Sequence, residues 1–233
     1  YHFLQNEIAA YQALSGDAGV TTPRLLSFGH LGSDRLYLMT TFVAGVSLSS
    51  LPISKKVQVF SNILTSLHSV KVDSSRGVMS RPPIYWIMLS PVLTLVALIR
   101  YPRAYKAIIS SFFYILRSST ILLARPDRTY IHRDLSDYNV LKSPRALTLI
   151  DLQLVSYGDP LLDYAVVLSK YSLVPDFIKQ FTATPSYKRM VTLARTRRAL
   201  SCYLLILSLY DLSIADGNYA QALHSLTIGG TSL

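Results

Sequence analysis

The chain has one cysteine, Cys202, so no disulfide can form within it. That residue lies in the apolar stretch Ala199-Leu-Ser-Cys-Tyr-Leu-Leu-Ile-Leu207 and reads as part of a core. A reducing, cytoplasmic compartment is expected. Acidic residues are also scarce. There are 13 against 23 basic ones, for a formal charge of +10, and Glu7 is the sole glutamate. The excess reads either as an ordinary solvated surface or as attraction to phosphate or anionic lipid headgroups. No basic run interleaved with aromatics marks a nucleic-acid surface, so no nucleic-acid partner is expected. Long apolar runs are missing too. The most apolar window, Ile84–Ile99, has sixteen residues and contains Pro91. That is shorter than the roughly 20 residues of a bilayer span. Buried or interfacial helices around a break at the proline are expected instead. No signal peptide or internal repeat is evident. The first residue is Tyr1 rather than Met, and the chain enters a helical pattern at once, so a truncated N-terminus is expected.

The apolar spacing predicts a helix over 3–15, with Ile8, Tyr11 and Leu14 on one face and Gly16 and Gly19 after it. Two strands are predicted over 22–29 and 35–43, with Leu25, Leu26, Phe28, Leu36, Leu38 and Met39 as core. Gly45 then breaks the chain before a helix over 54–69 that turns Val57, Phe60, Ile63, Leu64 and Leu67 inward. Further helices are predicted over 84–99 and 103–123. Short strands are predicted at 130–132, 140–142 and 148–152. From Pro160 to about Leu212 the pattern is helical, broken near Pro175 and Pro185. The tail Thr227–Leu233 reads as frayed.

The residues that constrain function most are Ile131-His-Arg-Asp-Leu-Ser-Asp-Tyr-Asn-Val-Leu141 and Leu149-Ile-Asp151. Asn139 follows Asp134 by five residues, and Asp151 follows Asn139 by twelve. Phosphoryl transfer needs an oriented nucleophile, neutralised phosphate charge and a dry cleft. Asp134 suits the role of proton acceptor for a substrate hydroxyl. Asn139 and Asp151 offer the oxygen ligands that Mg²⁺ prefers. His132 reads as a packing residue of this loop, Asp137 as solvent-facing or a local turn cap, and His68 as structural.

With Gly158-Asp-Pro-Leu-Leu-Asp-Tyr-Ala165 added, the chain resembles the aminoglycoside phosphotransferase and choline kinase branch of the protein-kinase-like superfamily. Only six residues separate Asp151 from Gly158, which leaves no room for a protein kinase's activation segment. Two residues depart from the branch: Arg133 stands where it usually has Gly, and Tyr164 where it usually has Leu. The resemblance implies an α+β, two-lobe fold. Residues 1–45 would form an incomplete N-terminal sheet lobe with its hinge, and 46–233 a mainly helical lobe. It implies ATP and Mg²⁺ as cofactors, with Asp134 catalytic and Asn139 and Asp151 on the metal. Glu7 would pair with an ATP-binding lysine, and backbone groups at Thr41, Phe42 and Val43 would meet adenine. Asp159 and Asp163 would brace the catalytic loop and cap the next helix. The Gly-rich loop and the strand lysine would lie upstream of Glu7, outside these residues, so the segment alone is expected to grip ATP poorly.

The resemblance places acceptor-binding elements in 81–125, which carries Tyr85, Trp86, Tyr101, Tyr105, Phe112, Phe113 and Tyr114. Arg100, Arg103 and Lys106 recur there at three-residue intervals, which predicts one basic helix face. An amphiphilic or lipid-like acceptor with peripheral membrane contact, a choline-like cation, or an ordinary helical core with a basic edge all fit. A polycationic aminoglycoside is disfavoured, because beyond Asp163 the acids are only Asp176, Asp211 and Asp216. The expected function is phosphorylation of a hydroxyl on a small molecule, sugar or lipid-linked acceptor. The alternative is a catalytically inactive pseudokinase-like module that binds nucleotide or a partner.

Overall fold

A computed structural model describes residues 2–15, 21–32, 35–71, 77–125, 128–144, 146–214, 222 and 224. Gly16, Gly19, Asp216 and the tail from Thr227 lie outside the described residues. The chain divides into two compact units: 1–80 with 128–160, and 81–127 with 161–233. The boundary expected at 45 therefore falls inside the first unit.

In the first unit, α1 (His2–Leu14) packs on the antiparallel ribbon of β1 (Leu25–Leu31) and β2 (Arg35–Thr40). Ile8, Tyr11 and Leu14 are buried as their spacing implies. The ribbon fully buries none of the six residues assigned to its core: Leu25, Leu36 and Leu38 are partly exposed, and Leu26, Phe28 and Met39 about half exposed. α1 touches both strands, but Phe28 pairs with Leu38 and Met39 with Ser27, so Phe28 and Met39 point to opposite faces and each face leaves an apolar side chain half exposed.

The chain continues through β3 (Val46–Ser47) and a 3₁₀ turn at Leu48–Ser50 to α2 (Ile53–Ser69). A side chain on Gly45 would meet the Leu141 side chain and the carbonyl of Lys142 at 3.1 Å, a tight fit that favours glycine there. All five inward residues expected of α2 are buried, and Phe60, Leu64 and Leu67 completely so. Each of these contributes roughly 1.5–3 kcal/mol by leaving water. β3 pairs with β6 (Val140–Lys142), which pairs with β7 (Leu147–Leu149), both antiparallel. β8 (Ser156–Gly158) lies between β4 (Ser80–Arg81) and β5 (Thr129–Ile131).

The second unit is helical. It contains α3 (Pro83–Arg100), α4 (Tyr105–Leu123), α5 (Leu161–Lys170), α6 (Pro175–Thr182), α7 (Pro185–Met190) and α8 (Ala194–Ser213). α8 packs against α3, α4 and α5. That central place explains why it is apolar on several faces, with Cys202 fully buried and its thiol pushed up to about 11 by burial. Pro175 and Pro185 sit in the first turns of α6 and α7, where a missing N–H costs nothing. Pro91, by contrast, does not break α3 as expected. Its ring removes the donor for the Ile87 carbonyl, and the Ser90 hydroxyl donates to that carbonyl instead, at 2.8 Å.

Burial pushes the Asp211 carboxyl up from 3.8 to about 6, while Lys170 pulls it down. A folded state that holds the proton more tightly loses stability as pH rises from about 4 to about 6. Asp211→Asn should therefore stabilise the protein by about 2 kcal/mol near neutral pH, allowing for partial solvent screening. Below the ordinary carboxyl value the gain should vanish. Urea melts of both proteins at the two pH values measure the difference.

Candidate active site

The loop between β5 and β6 carries the Asp134-to-Asn139 segment, all of it within the first unit. The Asn139 side-chain amide donates to the Asp134 carbonyl at 2.7 Å and to its carboxylate Oδ2 at 3.0 Å. The Asn139 carbonyl accepts from the Ile150 N–H at 3.0 Å, so the loop is tied to the strand that delivers Asp151. His132 is fully buried. Its Nε2 meets the Ile150 carbonyl at 3.2 Å, and the Asp134 N–H donates to Nδ1 at 3.4 Å. Those two bonds together require the hydrogen on Nε2. His132 is thus more than packing, because it joins both acidic loops.

Two residues near this point have left-handed backbone, Arg133 at φ 70° and Asp151 at φ 58°. A glycine at position 133 would adopt that angle without strain, which accounts physically for Gly in the resembling branch. Here Arg133 accepts the strain, and its guanidinium donates to the Leu154 carbonyl at 3.4 Å.

Asp137 departs from expectation. Its carboxylate pairs with Lys56 on α2 at 2.7 Å, with the two side chains 17% and 13% exposed. Its carbonyl accepts from the Leu48 N–H at 3.1 Å and the Ser47 hydroxyl at 2.8 Å. It clamps the loop carrying Asp134 to α2 rather than facing solvent. Lys56→Met should cost about 2–3 kcal/mol by stranding a mostly buried carboxylate. Asp137→Asn in the same protein should return part of that loss, as thermal melts will read.

Glu7 stands beside Asp151. Burial pushes the Glu7 carboxyl upward, Asp151 adds repulsion, and a hydrogen bond from the Leu152 N–H opposes both. Tyr11, one turn further along α1, is pushed up to about 12 by burial and by the charges of Glu7 and Asp151. Asn6 fixes α1 in this position. Its amide donates to the carbonyls of Gln153 at 2.9 Å and Val155 at 2.7 Å, and its Oδ1 accepts from the Met79 N–H at 2.8 Å. Asn6, Lys56 and Ser47 escaped the sequence reading. Only Asn6 gave a local signal, as a buried amide in an apolar helix.

Thr41, Phe42 and Val43, expected at the hinge, follow β2. The Thr41 N–H donates to the Arg24 carbonyl at 2.9 Å, and its hydroxyl accepts from the Arg24 N–H at 2.9 Å. Thr41 therefore extends the ribbon. Among the described residues, Phe42 and Val43 make no backbone-to-backbone hydrogen bond, and Phe42 is 93% exposed. Asp159 is buried in the first unit, and Asp163 is buried in the first turn of α5 in the second.

The family model of the phosphotransferase enzyme family matches residues 2–197. The chain belongs to that family. No curated protein matches it by sequence. Among solved structures, this phosphotransferase is similar to a thermostable mutant of aminoglycoside phosphotransferase APH(4)-Ia in ternary complex with ADP and hygromycin B. The TM-score is 0.72 at 17% identity, over 97% of this chain and 80% of that one. The GDP complex of aminoglycoside 2'-phosphotransferase-IIIa gives 0.67 at 20% identity, over 98% and 82%. Spectinomycin phosphotransferase APH(9)-Ia with ADP and spectinomycin gives 0.63 at 15%, over 100% and 83%. At such identities the likeness shows the fold, and it is the kinase-like one expected. Membership in the family makes the chain a phosphotransferase of the kinase type, with a small-molecule hydroxyl as acceptor.

Proposed function

We propose that this phosphotransferase moves the γ-phosphoryl group of ATP, with Mg²⁺, to the hydroxyl of a sugar or lipid-linked alcohol. The observation that carries the reading is the Asn139 amide holding the Asp134 carboxylate at 3.0 Å, on a loop tied to the residue before Asp151. Asp134 accepts the hydroxyl proton as the acceptor oxygen attacks phosphorus. Because Asn139 orients Oδ2, positioning supplies much of the rate. Glu7 presents a carboxylate beside Asp151 for the ammonium that grips the nucleotide phosphates. Backbone groups at Phe42 and Val43 take adenine, with Thr41 holding the ribbon that carries them.

The donor set fits a hard divalent cation. Asp151 offers carboxylate oxygens and Asn139 an amide oxygen. Glu7 and Asp151 repel each other, and among the described residues no ion pair offsets Asp151. No group of three or more His, Cys, Asp or Glu among the described residues could enclose a metal. Phosphate oxygens and water would complete its shell. When bound, Mg²⁺ neutralises the charge that develops on the transferred phosphoryl group.

The acceptor is proposed to be neutral or anionic. A chain of charge +10, with three acids beyond Asp163, repels a polycation. The free Cys202 supports a reducing cytoplasmic setting. An ATP-consumption assay of the protein, together with any sequence that precedes Tyr1, against a panel of sugars, lipid-linked alcohols and aminoglycosides tests the proposal. Magnesium-dependent turnover with one of the first two classes supports it. Nucleotide binding without turnover on any acceptor, unchanged by Asp134→Ala, would favour an inactive binding module.

A further inference from the structure

We propose that the outer faces of α3 and α4 form a docking surface for an anionic phospholipid bilayer. The inference rests on the second unit alone and is independent of the phosphotransfer reading. α3 packs against α4 and α8 and buries Trp86, Ser90, Leu93 and Ala97. Its opposite face carries Met88, Val92, Leu95 and Ile99, which are 70%, 58%, 60% and 72% exposed. Their spacing of four, three and four residues makes one continuous stripe. α4 repeats the arrangement. It buries Ile108, Ser111, Ile115 and Ser118 and exposes Tyr105, Ile109, Phe113 and Leu116. Isolated exposed apolar side chains are ordinary on any protein. Eight of them in two stripes on neighbouring helices call for a covering.

Charge selects the covering. From Arg81 to Arg125 there is no Asp or Glu, and six residues are basic. Arg100, Arg103 and Lys106 do not share one helix face as expected, because a 3₁₀ turn at Pro102–Ala104 separates the two helices; they are exposed around that turn, and exposed Arg117 follows Leu116. A second copy meeting this face through its own would bring like charge against like. Anionic headgroups complement it, while the arginine and lysine stems lie along the apolar stripe and lift their charges to the interface. Contrary to the short apolar run read from sequence, α3 and the segment Pro102–Leu123 that contains α4 are long and apolar enough by length and composition to cross a membrane. Crossing would strip away the faces they bury against α8, so they lie on the bilayer with the stripes shallowly inserted.

Sedimentation of the 233-residue chain with vesicles tests this. Vesicles of phosphatidylcholine alone are compared with vesicles also containing phosphatidylserine, without nucleotide or acceptor. The chain should sediment with the second kind, less so as salt rises, and little with the first. Arg103→Gln with Lys106→Gln should weaken partitioning roughly twentyfold. Leu95→Ser with Ile99→Ser should weaken it about tenfold or more. Both pairs are exposed, so the circular dichroism melt should be unchanged. Absence of binding to the phosphatidylserine vesicles would overturn the proposal. So would binding that neither pair weakens in a folded protein, or self-association that Leu95→Ser with Ile99→Ser abolishes. Because the assay contains no ATP, its outcome is separate from that of the phosphotransfer proposal.

Discussion

Asp134→Asn should lower kcat about a thousandfold while nucleotide affinity stays within a few-fold of the parent. The substitution keeps size and shape, and the side-chain oxygen can still accept from the Asn139 amide, now 3.0 Å from Oδ2. The neighbouring bonds of the loop, from the Asp134 N–H to His132 Nδ1 and from the Ile150 N–H to the Asn139 carbonyl, involve no carboxylate oxygen and should persist. What disappears is the capacity to take a proton from the acceptor hydroxyl. The change therefore separates chemistry from binding. Steady-state turnover and a parallel nucleotide titration measure the two. Equal losses in both would mean that Asp134 shapes the site rather than acting in it.

The second large effect is on stability. Asn6→Ala should cost about 3 kcal/mol and lower Tm by roughly 6–12 °C. Asn6 is 5% exposed and spends its whole amide on three backbone partners at 2.7–2.9 Å. Alanine, the better helix former, recovers a few tenths of a kcal/mol through propensity. It leaves the carbonyls of Gln153 and Val155 and the Met79 N–H without that amide. These groups flank the segment after Asp151, so activity measured well below Tm should fall as well. The cause is that α1 no longer fixes Glu7 against the Leu152 N–H. Differential scanning calorimetry and a kinetic assay at low temperature read the two consequences separately. A Tm within 2 °C of the parent, the shift expected of roughly 1 kcal/mol or less, would mean that the clamp contributes little.

Legibility in the sequence followed the range of the interaction. The run from His132 to Asn139 and the spacing to Asp151 are local, so the loop and the short strand over 140–142 could be read in place. The helical period of α2 likewise announced its buried face. Pro91 misled because its remedy, a hydroxyl one residue earlier, is side-chain chemistry that a helix-breaker rule does not weigh. The β1–β2 ribbon misled because apolar residues mark its strands without saying how fully either face is covered. The Lys56–Asp137 pair joins residues 81 apart, and the Asn6–Val155 bond joins residues 149 apart. No periodicity connects such positions. The division into units was equally hidden, since each unit is assembled from two separate stretches of chain.

In the proposed reaction Asp134, held by Asn139, takes the proton of the hydroxyl that receives the phosphoryl group. Its most direct test follows labelled γ-phosphate from ATP in a single turnover with magnesium and an acceptor identified by the panel. Label should appear on the acceptor oxygen with the parent protein, and should remain on ATP with Asp134→Asn although the nucleotide is bound. Label that stays on ATP in both proteins, or that reaches the acceptor equally fast in both, would contradict the account.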